Sequence, residues 1–354
     1  MMRFHVVSLP HTQTTVAYGA CAYTEKVRKF CRMMCSIGHE VYLYAGDENE
    51  APCDEHLSCI SEDERAAAVG NDHYCHAPFD GRLPHWQNFN ARVIEAMRKR
   101  IRPRDFICII GGISNQPIAE AFPNNMTVEF GIGYAGTFSK YRVFESYAWM
   151  HVIYGAQTGN AFACDGAWYD VVIPGYLERE RFPFQPQKDG YHLFMGRLVE
   201  RKGYQVAAEV CRAAHKPLKI CGQGAPPPYG EYLGVVGPEL RGELMANASA
   251  FWCPTIYVEP FANVHVEAMA CGTPIICTDW GVFTETVKQG ETGFRCRTFQ
   301  EFLDAVEDVK KLDPWRIRKY ALDNFSLEAI APRYDQYFRR LLDLWGDGWY
   351  ARTH

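Results

Sequence analysis

Short apolar runs alternate with amphipathic stretches along most of the chain, which is the pattern of βα units laid on parallel sheets. FHVVSLP (Phe4–Pro10) reads as a first strand and empties into a polar loop, His11–Thr15. A helix follows, with apolar positions at Val27, Phe30, Met34 and Ile37 and a stop at Gly38. Val41–Gly46 is a second strand, Asp47–Gln87 an aperiodic insertion with room for one short helix, Asn88–Arg100 a helix and Asp105–Gly112 a buried strand. Thr127–Phe130, Met150–Tyr154 and Val171–Ile173 complete the strands of the first half, and Pro174-Gly175 breaks the chain. Leu177–Gly190 has the proline and charge content of a linker. The rhythm then restarts with a strand at Tyr191–Gly196, a helix at Tyr204–Ala214 and a strand at Pro217–Gly222. Short strands follow near Leu233–Val236, Ala250–Cys253 and Pro274–Cys277, and Leu327–Trp345 closes the chain as an amphipathic helix. The pattern predicts an α/β protein with domains at 1–180 and 188–327 and a helical tail at 328–354.

Composition agrees with this organisation. A chain of 354 residues, 47% hydrophobic, has enough apolar material for two cores. With 37 basic and 42 acidic side chains the net charge is −5, unlike a protein that grips nucleic acid through a broad basic field. No apolar run approaches the ~18 residues of a membrane span. The 14 cysteines include no C-x-x-C pair, and the chain opens without a secretory leader, so they predict a reducing, cytoplasmic setting and core filling, as for Cys31 and Cys35 on one helix face. His73, Cys75, His76 and His85 match no ligand spacing and read as a polar loop, so no metal is expected. Aromatic residues, at 14%, are in excess.

The chemistry concentrates in the second half. The strand Tyr191–Gly196 runs into RLVERKG, placing Arg197 and Lys202 past the carboxyl end of a parallel strand, where ligands of open α/β sheets bind. A guanidinium and an ammonium at this spacing make a clamp for a diphosphate, while Arg201 reads equally well as a solvated side chain. In EPFANVHVEAMACGTPIICTDWG (Glu259–Gly281) a helix begins near Asn263, so the amides of Asn263, Val264 and His265 are first-turn donors for an anion. Glu259 and Glu267 bracket that anion site. Each alone could be a cap or a solvated carboxylate; together they suit sugar hydroxyls.

These segments resemble the retaining family-4 glycosyltransferases (glycosyl transferases group 1) of the GT-B fold. The resemblance rests on RLVERKG at Arg197–Gly203, Glu259-Pro260-Phe261, the run Glu267–Pro274, Glu285 and Gly290-x-x-Gly293. It extends to Gly38–Gly46, Val171–Phe182 and Leu233–Thr255, and is dense over Val171–Phe294. It implies two Rossmann-like domains facing across a cleft, with the tail helix crossing back to the first. It also implies catalytic roles for Arg197, Lys202 and Glu259, and a donor-binding set of Gly19, Gly196, Arg197, Lys202, Glu259, Phe261, Ala262, Asn263, Val264 and Glu267. Arg197 and Lys202 would hold the diphosphate, Glu267 the ribose and Glu259 the transferred sugar. The loop at Tyr18-Gly19 has one glycine where the family often has two, family members often have Gly where Ala262 stands, and commonly a His near Glu129. The donor is then a UDP- or GDP-linked sugar, and retention follows from the likeness. No D-x-D motif stands at a strand end, so no metal or other cofactor is expected.

The acceptor side is less marked. The ring-rich stretch Gly131–Gly155, with Tyr134, Arg142 and the adjoining Glu129, reads either as an acceptor platform or as core, and His11 and Thr15 as a second wall or a simple turn. A glycan, a lipid-linked sugar, a small metabolite, a protein or a modified base in DNA could each accept; the net charge disfavours nucleic acid. Two other readings fit the same residues: a nucleotide-sugar epimerase or hydrolase, which needs no acceptor, and a silent nucleotide-sugar-binding protein, against which the intact Arg197, Lys202, Glu259 and Glu267 argue.

Overall fold

The structure, a computed structural model, describes residues 1–70, 73–160, 162 and 164–344. In chain order the elements are β1 (Arg3–Val7), α1 (Ala22–Ser36), β2 (Glu40–Gly46), β3 (Glu55–Ile60), α2 (Glu62–Val69), α3 (Pro84–Arg98), β4 (Phe106–Ile109), α4 (Gln116–Glu120), β5 (Met126–Ile132), β6 (Tyr141–Phe144), α5 (Tyr147–Thr158) and β7 (Val171–Val172). The second half continues with β8 (His192–Met195), α6 (Tyr204–Ala213), β9 (Leu218–Cys221), β10 (Glu231–Tyr232), α7 (Pro238–Asn247), β11 (Ala250–Cys253), α8 (Asn263–Ala270) and β12 (Ile275–Thr278). It ends with α9 (Phe283–Thr286), β13 (Gly293–Cys296), α10 (Phe299–Asp308), α11 (Pro314–Phe325) and α12 (Leu327–Leu344).

The chain forms two units. Unit 1 comprises Met1–Glu145, Ile153–Ile173 and the chain from Ala331; unit 2 comprises Ser146–Val152 and Pro174–Ile330. Each is built on one all-parallel sheet, ordered β3-β2-β1-β4-β5-β6-β7 in unit 1 and β10-β9-β8-β11-β12-β13 in unit 2. Strand order reverses between β1 and β4 and again between β8 and β11. Those switch points open a crevice at the carboxyl ends of the strands, and the loops after β1 and β8 lie there.

Strands buried on both faces show as continuous apolar runs. In unit 1, Phe4 of β1 packs on Phe30, Phe106 and Phe338, with ring centroids 6.1, 5.7 and 4.6 Å away. Burying a Phe is worth about 1.5–3 kcal/mol, enough for Phe338 to fasten α12 to this unit. In unit 2, Leu193, Phe251 and Ile275 on one face of the sheet share a core with Met269 of α8, and Phe194, Trp252 and Ile276 on the other share one with Phe302 of α10.

Several expectations need correction. Met150–Tyr154 belongs to helix α5: a short apolar run has no period that separates helix from strand, and this helix is apolar around most of its circumference. The insertion holds an edge strand, β3, helix α2 closed by a Ser61–Glu64 capping box, and the start of α3, which begins at Pro84. The strand expected at Leu233–Val236 is instead β10, just before it. Tyr141–Phe144, within the ring-rich stretch read as acceptor platform or as core, is strand β6, with Val143 and Phe144 buried. The expected linker is packed: Leu177 and Phe182 are core residues of unit 2, and the Leu177 amide donates to the Phe325 carbonyl at 2.9 Å. Trp345 and the rest of the tail lie outside the described residues. All 14 cysteines are free, and among the described residues no helix is long and apolar enough to cross a membrane.

Candidate functional site

The segment after β8 is held by two glycines at which any side chain would clash with neighbouring backbone. Gly203 has φ +70°, and a Cβ there would lie 1.9 Å from the Pro254 carbonyl oxygen. Gly222, with φ +140°, would place a Cβ 1.8 Å from the Gly196 oxygen. The loops after β8, β9 and β11 therefore touch backbone to backbone, and the Ile256 amide donates to the Arg201 carbonyl at 2.9 Å. This close approach brings Lys202 to Glu259, Nζ to Oε2, at 2.6 Å, with side chains 20% and 8% exposed. Arg197 is exposed just past β8. Arg201 is stacked on Tyr257, its guanidinium carbon 3.8 Å from the ring centroid, with the Lys202 ammonium 5.2 Å from the same ring. Burial and the adjacent Glu259 push the Tyr257 phenol well up, so it stays neutral beside the carboxylate.

The α8 entrance is unusual. Ala262 caps the helix at φ +63°, a left-handed conformation that costs an L-residue roughly 1–2 kcal/mol. His265, fully buried and held neutral with a pKa near 4 by desolvation, fixes that turn: its Nδ1 lies 2.6 Å from the Ala262 carbonyl and its Nε2 2.8 Å from the Thr286 hydroxyl. The His265 amide also donates to the Ala262 carbonyl at 3.1 Å, so the expected triplet of first-turn donors is reduced to Asn263 and Val264. Asn263 Oδ1 is buried without a partner, and Gly175 lets the chain press against Asn263 and Phe261. Ala262→Gly is expected to stabilise the protein by about 1 kcal/mol, the relieved strain less the entropy that glycine adds to the unfolded chain, and to raise Tm by about 3 °C in a thermal melt.

Glu267 faces inward and is ion-paired with Arg241 of α7. The sequence gives no sign of Arg241, since a single arginine on a helix has no periodic signature. Glu285 accepts from the amides of Tyr147 and Ala148 at 2.9 and 2.8 Å, capping α5, and the Ser146 hydroxyl donates to the Pro260 carbonyl at 2.7 Å. The acidic motif is thus braced from behind.

Unit 1 places its proposed acceptor residues unevenly. Gly19 has ordinary backbone angles in a short 3-10 turn. Arg142 is committed to Asp170 at 2.6 Å and Gln157 at 2.8 Å and stacks on Phe144 and Tyr154, so its charge is spent inside the fold. Tyr134 donates to Glu129 at 3.1 Å, and the amides of Phe138 and Ser139 donate to the other carboxylate oxygen at 3.0 and 2.7 Å. Burial outweighs these bonds and the nearby Arg142, and raises the Glu129 pKa to about 7. A group with a raised folded pKa gives stability that is present below its unfolded value and lost as pH rises through the folded one. Glu129 therefore costs up to about 3 kcal/mol between pH 4.5 and 8. Urea midpoints are expected to fall over that range, and Glu129→Gln, which keeps the amide contacts, to flatten the slope. His11 and Thr15 are buried at the end of β1. Tyr147 is exposed, whereas Tyr154 is buried. Among the described residues no group of three His, Cys, Asp or Glu side chains could hold a metal.

Residues 190–311 match the family model described as glycosyl transferases group 1. Alpha-maltose-1-phosphate synthase of Mycolicibacterium smegmatis is 28% identical over 187 residues, covering 42% of this chain and 47% of that protein. The chain spans about half or less of the length of the curated relatives it matches first. Among solved structures, AviGT4, a glycosyltransferase involved in avilamycin A biosynthesis, superposes with a TM-score of 0.68 at 21% identity, over 97% of this chain and 98% of that one. Anabaena HepE in complex with UDP-glucose superposes at 0.62 with 16% identity, over 97% and 100%. The α/β fold with two parallel-sheet domains is that of the GT-B glycosyltransferase structures.

Proposed function

We propose that the protein is a glycosyltransferase that moves a sugar from a UDP- or GDP-linked donor to an acceptor hydroxyl, with retention of configuration and without a metal. The observation that carries this reading is the convergence, at the switch point of one parallel sheet, of Arg197, the Lys202–Glu259 pair and the α8 amino terminus. Lys202 has three donors and uses one on Glu259, leaving two for phosphate oxygens. Arg197 and the free amides of Asn263 and Val264 supply the remaining positive field, each charge-assisted contact being worth about 1.5–3 kcal/mol. As the bond from sugar to phosphate lengthens, negative charge grows on the leaving diphosphate, and these fixed groups stabilise it more than they stabilise the intact donor. Glu259, tied to Lys202, faces the transferred sugar, and Glu267, steadied by Arg241, takes the ribose. Matches to the glycosyl transferases group 1 model and to glycosyltransferase folds support the reading.

Nucleotide release from UDP-glucose, UDP-galactose, UDP-N-acetylglucosamine and GDP-mannose tests it. Turnover of at least one, accelerated by an added acceptor, is expected. No release and no binding for any would overturn it, and release that no acceptor accelerates would favour a hydrolase.

A further inference from the structure

The imidazole of His265, fully buried on α8, takes no part in the chemistry proposed above. Its ring packs on Phe261 and Phe283, with centroids 5.5 and 5.4 Å away. Three polar contacts run through it in a line. The Ala262 carbonyl oxygen lies 2.6 Å from Nδ1, the Thr286 hydroxyl 2.8 Å from Nε2, and the same hydroxyl 2.9 Å from the Val282 carbonyl oxygen.

Both ends of this line are carbonyl oxygens, which only accept. Filling three contacts between two such ends takes three protons, and the groups between them hold two, one on the neutral imidazole and one on the hydroxyl. A charged imidazolium would supply the third, but desolvation beside the two phenylalanine rings keeps the ring neutral. One contact is therefore unfilled, and the tautomer decides which. With the proton on Nε2, Thr286 donates to Val282, and the bare Nδ1 lone pair faces the Ala262 oxygen at 2.6 Å, two acceptors pressed together away from water. With the proton on Nδ1, that close approach becomes a hydrogen bond and Thr286 donates to Nε2. What stays unfilled is then the longest of the three contacts, to a Val282 oxygen that already accepts from the amides of Glu285 and Thr286 at 3.0 and 3.1 Å. The second arrangement is the cheaper one, since a buried clash of acceptors is avoided where the atoms are closest.

On the proposed reading of the α8 amino terminus as part of the donor's anion site, we infer that His265, as its Nδ1-protonated tautomer, is the positioning residue of that terminus. Its bond to the Ala262 carbonyl holds the left-handed turn and keeps the Asn263 and Val264 amides free for an anion. Glycine adopts such a turn unaided, whereas Ala262 at φ +63° needs the restraint. The ring touches no ligand and acts through the backbone alone. Thr286 ties the same imidazole to α9, beside the Glu285 that caps α5.

Long-range proton–nitrogen NMR correlation on the full chain, made with isotope-labelled histidine, reads which ring nitrogen carries the proton; the His265 signals are those missing from either variant below. A proton on Nδ1 is expected, and a proton on Nε2 would overturn the assignment. Two substitutions then separate the nitrogens, because an asparagine amide reaches the place of Nδ1 and a glutamine amide that of Nε2. Both should melt below wild type. In calorimetric titrations with UDP and GDP, His265→Asn should stay within about twofold of wild-type affinity, while His265→Gln binds roughly fivefold or more weakly. A residue that merely filled the core would lose affinity in step with melting temperature in both, so equal affinities of the two variants would overturn the positioning role. If wild type bound neither nucleotide the transferase reading itself would fall, and the tautomer would still decide whether His265 holds the turn.

Discussion

Replacing Lys202 by alanine is expected to lower nucleotide-sugar turnover at least tenfold, a loss of about 1.4 kcal/mol or more of transition-state stabilisation. Two effects add. On the proposed reading, the diphosphate loses an ammonium whose contact strengthens as charge moves onto the leaving group. Glu259, only 8% exposed and 2.6 Å from Lys202, also loses its cation, which leaves a buried carboxylate unpaired and, on the proposed reading, repelling the phosphates. Arg197→Ala removes an exposed charge that has no ion-pair partner among the described residues, so it should reduce turnover at least tenfold while leaving the unfolding temperature unchanged. The two variants thus separate a group that acts on the ligand alone from one that also organises the site. Steady-state rates beside thermal melts read the difference. Wild-type turnover in both would place the diphosphate clamp elsewhere.

Gly203→Ala is expected to cost about 3–5 kcal/mol and to lower the unfolding temperature by roughly 10 °C. Its φ of +70° strains any L-residue, but the larger cause is the Pro254 carbonyl oxygen, 1.9 Å from the new Cβ and held in backbone that cannot rotate away. Relief requires the β8 and β11 loops to part, and that separates Lys202 from Glu259. Activity should fall further than stability alone explains. Gly38→Ala is the control: its φ is +82°, yet nothing lies within 4 Å of the added methyl group, so the cost should be about 1 kcal/mol and activity unaffected. Urea unfolding of both variants separates steric clash from backbone strain; equal destabilisation would mean that the loop contact does not hold the site.

The fold was legible where burial on both faces leaves a continuous apolar run, as in β1, β2, β4, β8 and β11. It was not legible where the run is short or mixed. Met150–Tyr154 has β-branched and aromatic residues enough for a strand, but its helix is set by distant partners, Glu285 above all, which caps its first turn. β3 is an edge strand whose EHLSCI sequence carries little alternation. The expected linker hid two core anchors, Leu177 and Phe182, because proline and charge dominate its composition.

The candidate site divides in the same way. Arg197, Lys202, Glu259 and Glu267 could be named because their spacing about strand ends and a helix start is local. Arg241 and Tyr257 could not, since their partners are reached only through folding. Ala262 concealed a left-handed turn that glycine would have announced. Arg142 invited a ligand role on charge alone, and Asp170, 28 residues away, takes that charge. In the His11–Thr15 loop the sequence could mark polar residues but could not show that the fold buries them.

The central claim, that unit 2 holds a nucleotide diphosphate sugar on Arg197 and Lys202, is tested most directly by calorimetric titration of UDP and GDP into wild type, Arg197→Ala and Lys202→Ala. Saturable binding of at least one nucleotide to wild type, at least tenfold weaker in each variant, is the predicted result. No binding to wild type, or equal affinity in all three proteins, would contradict it.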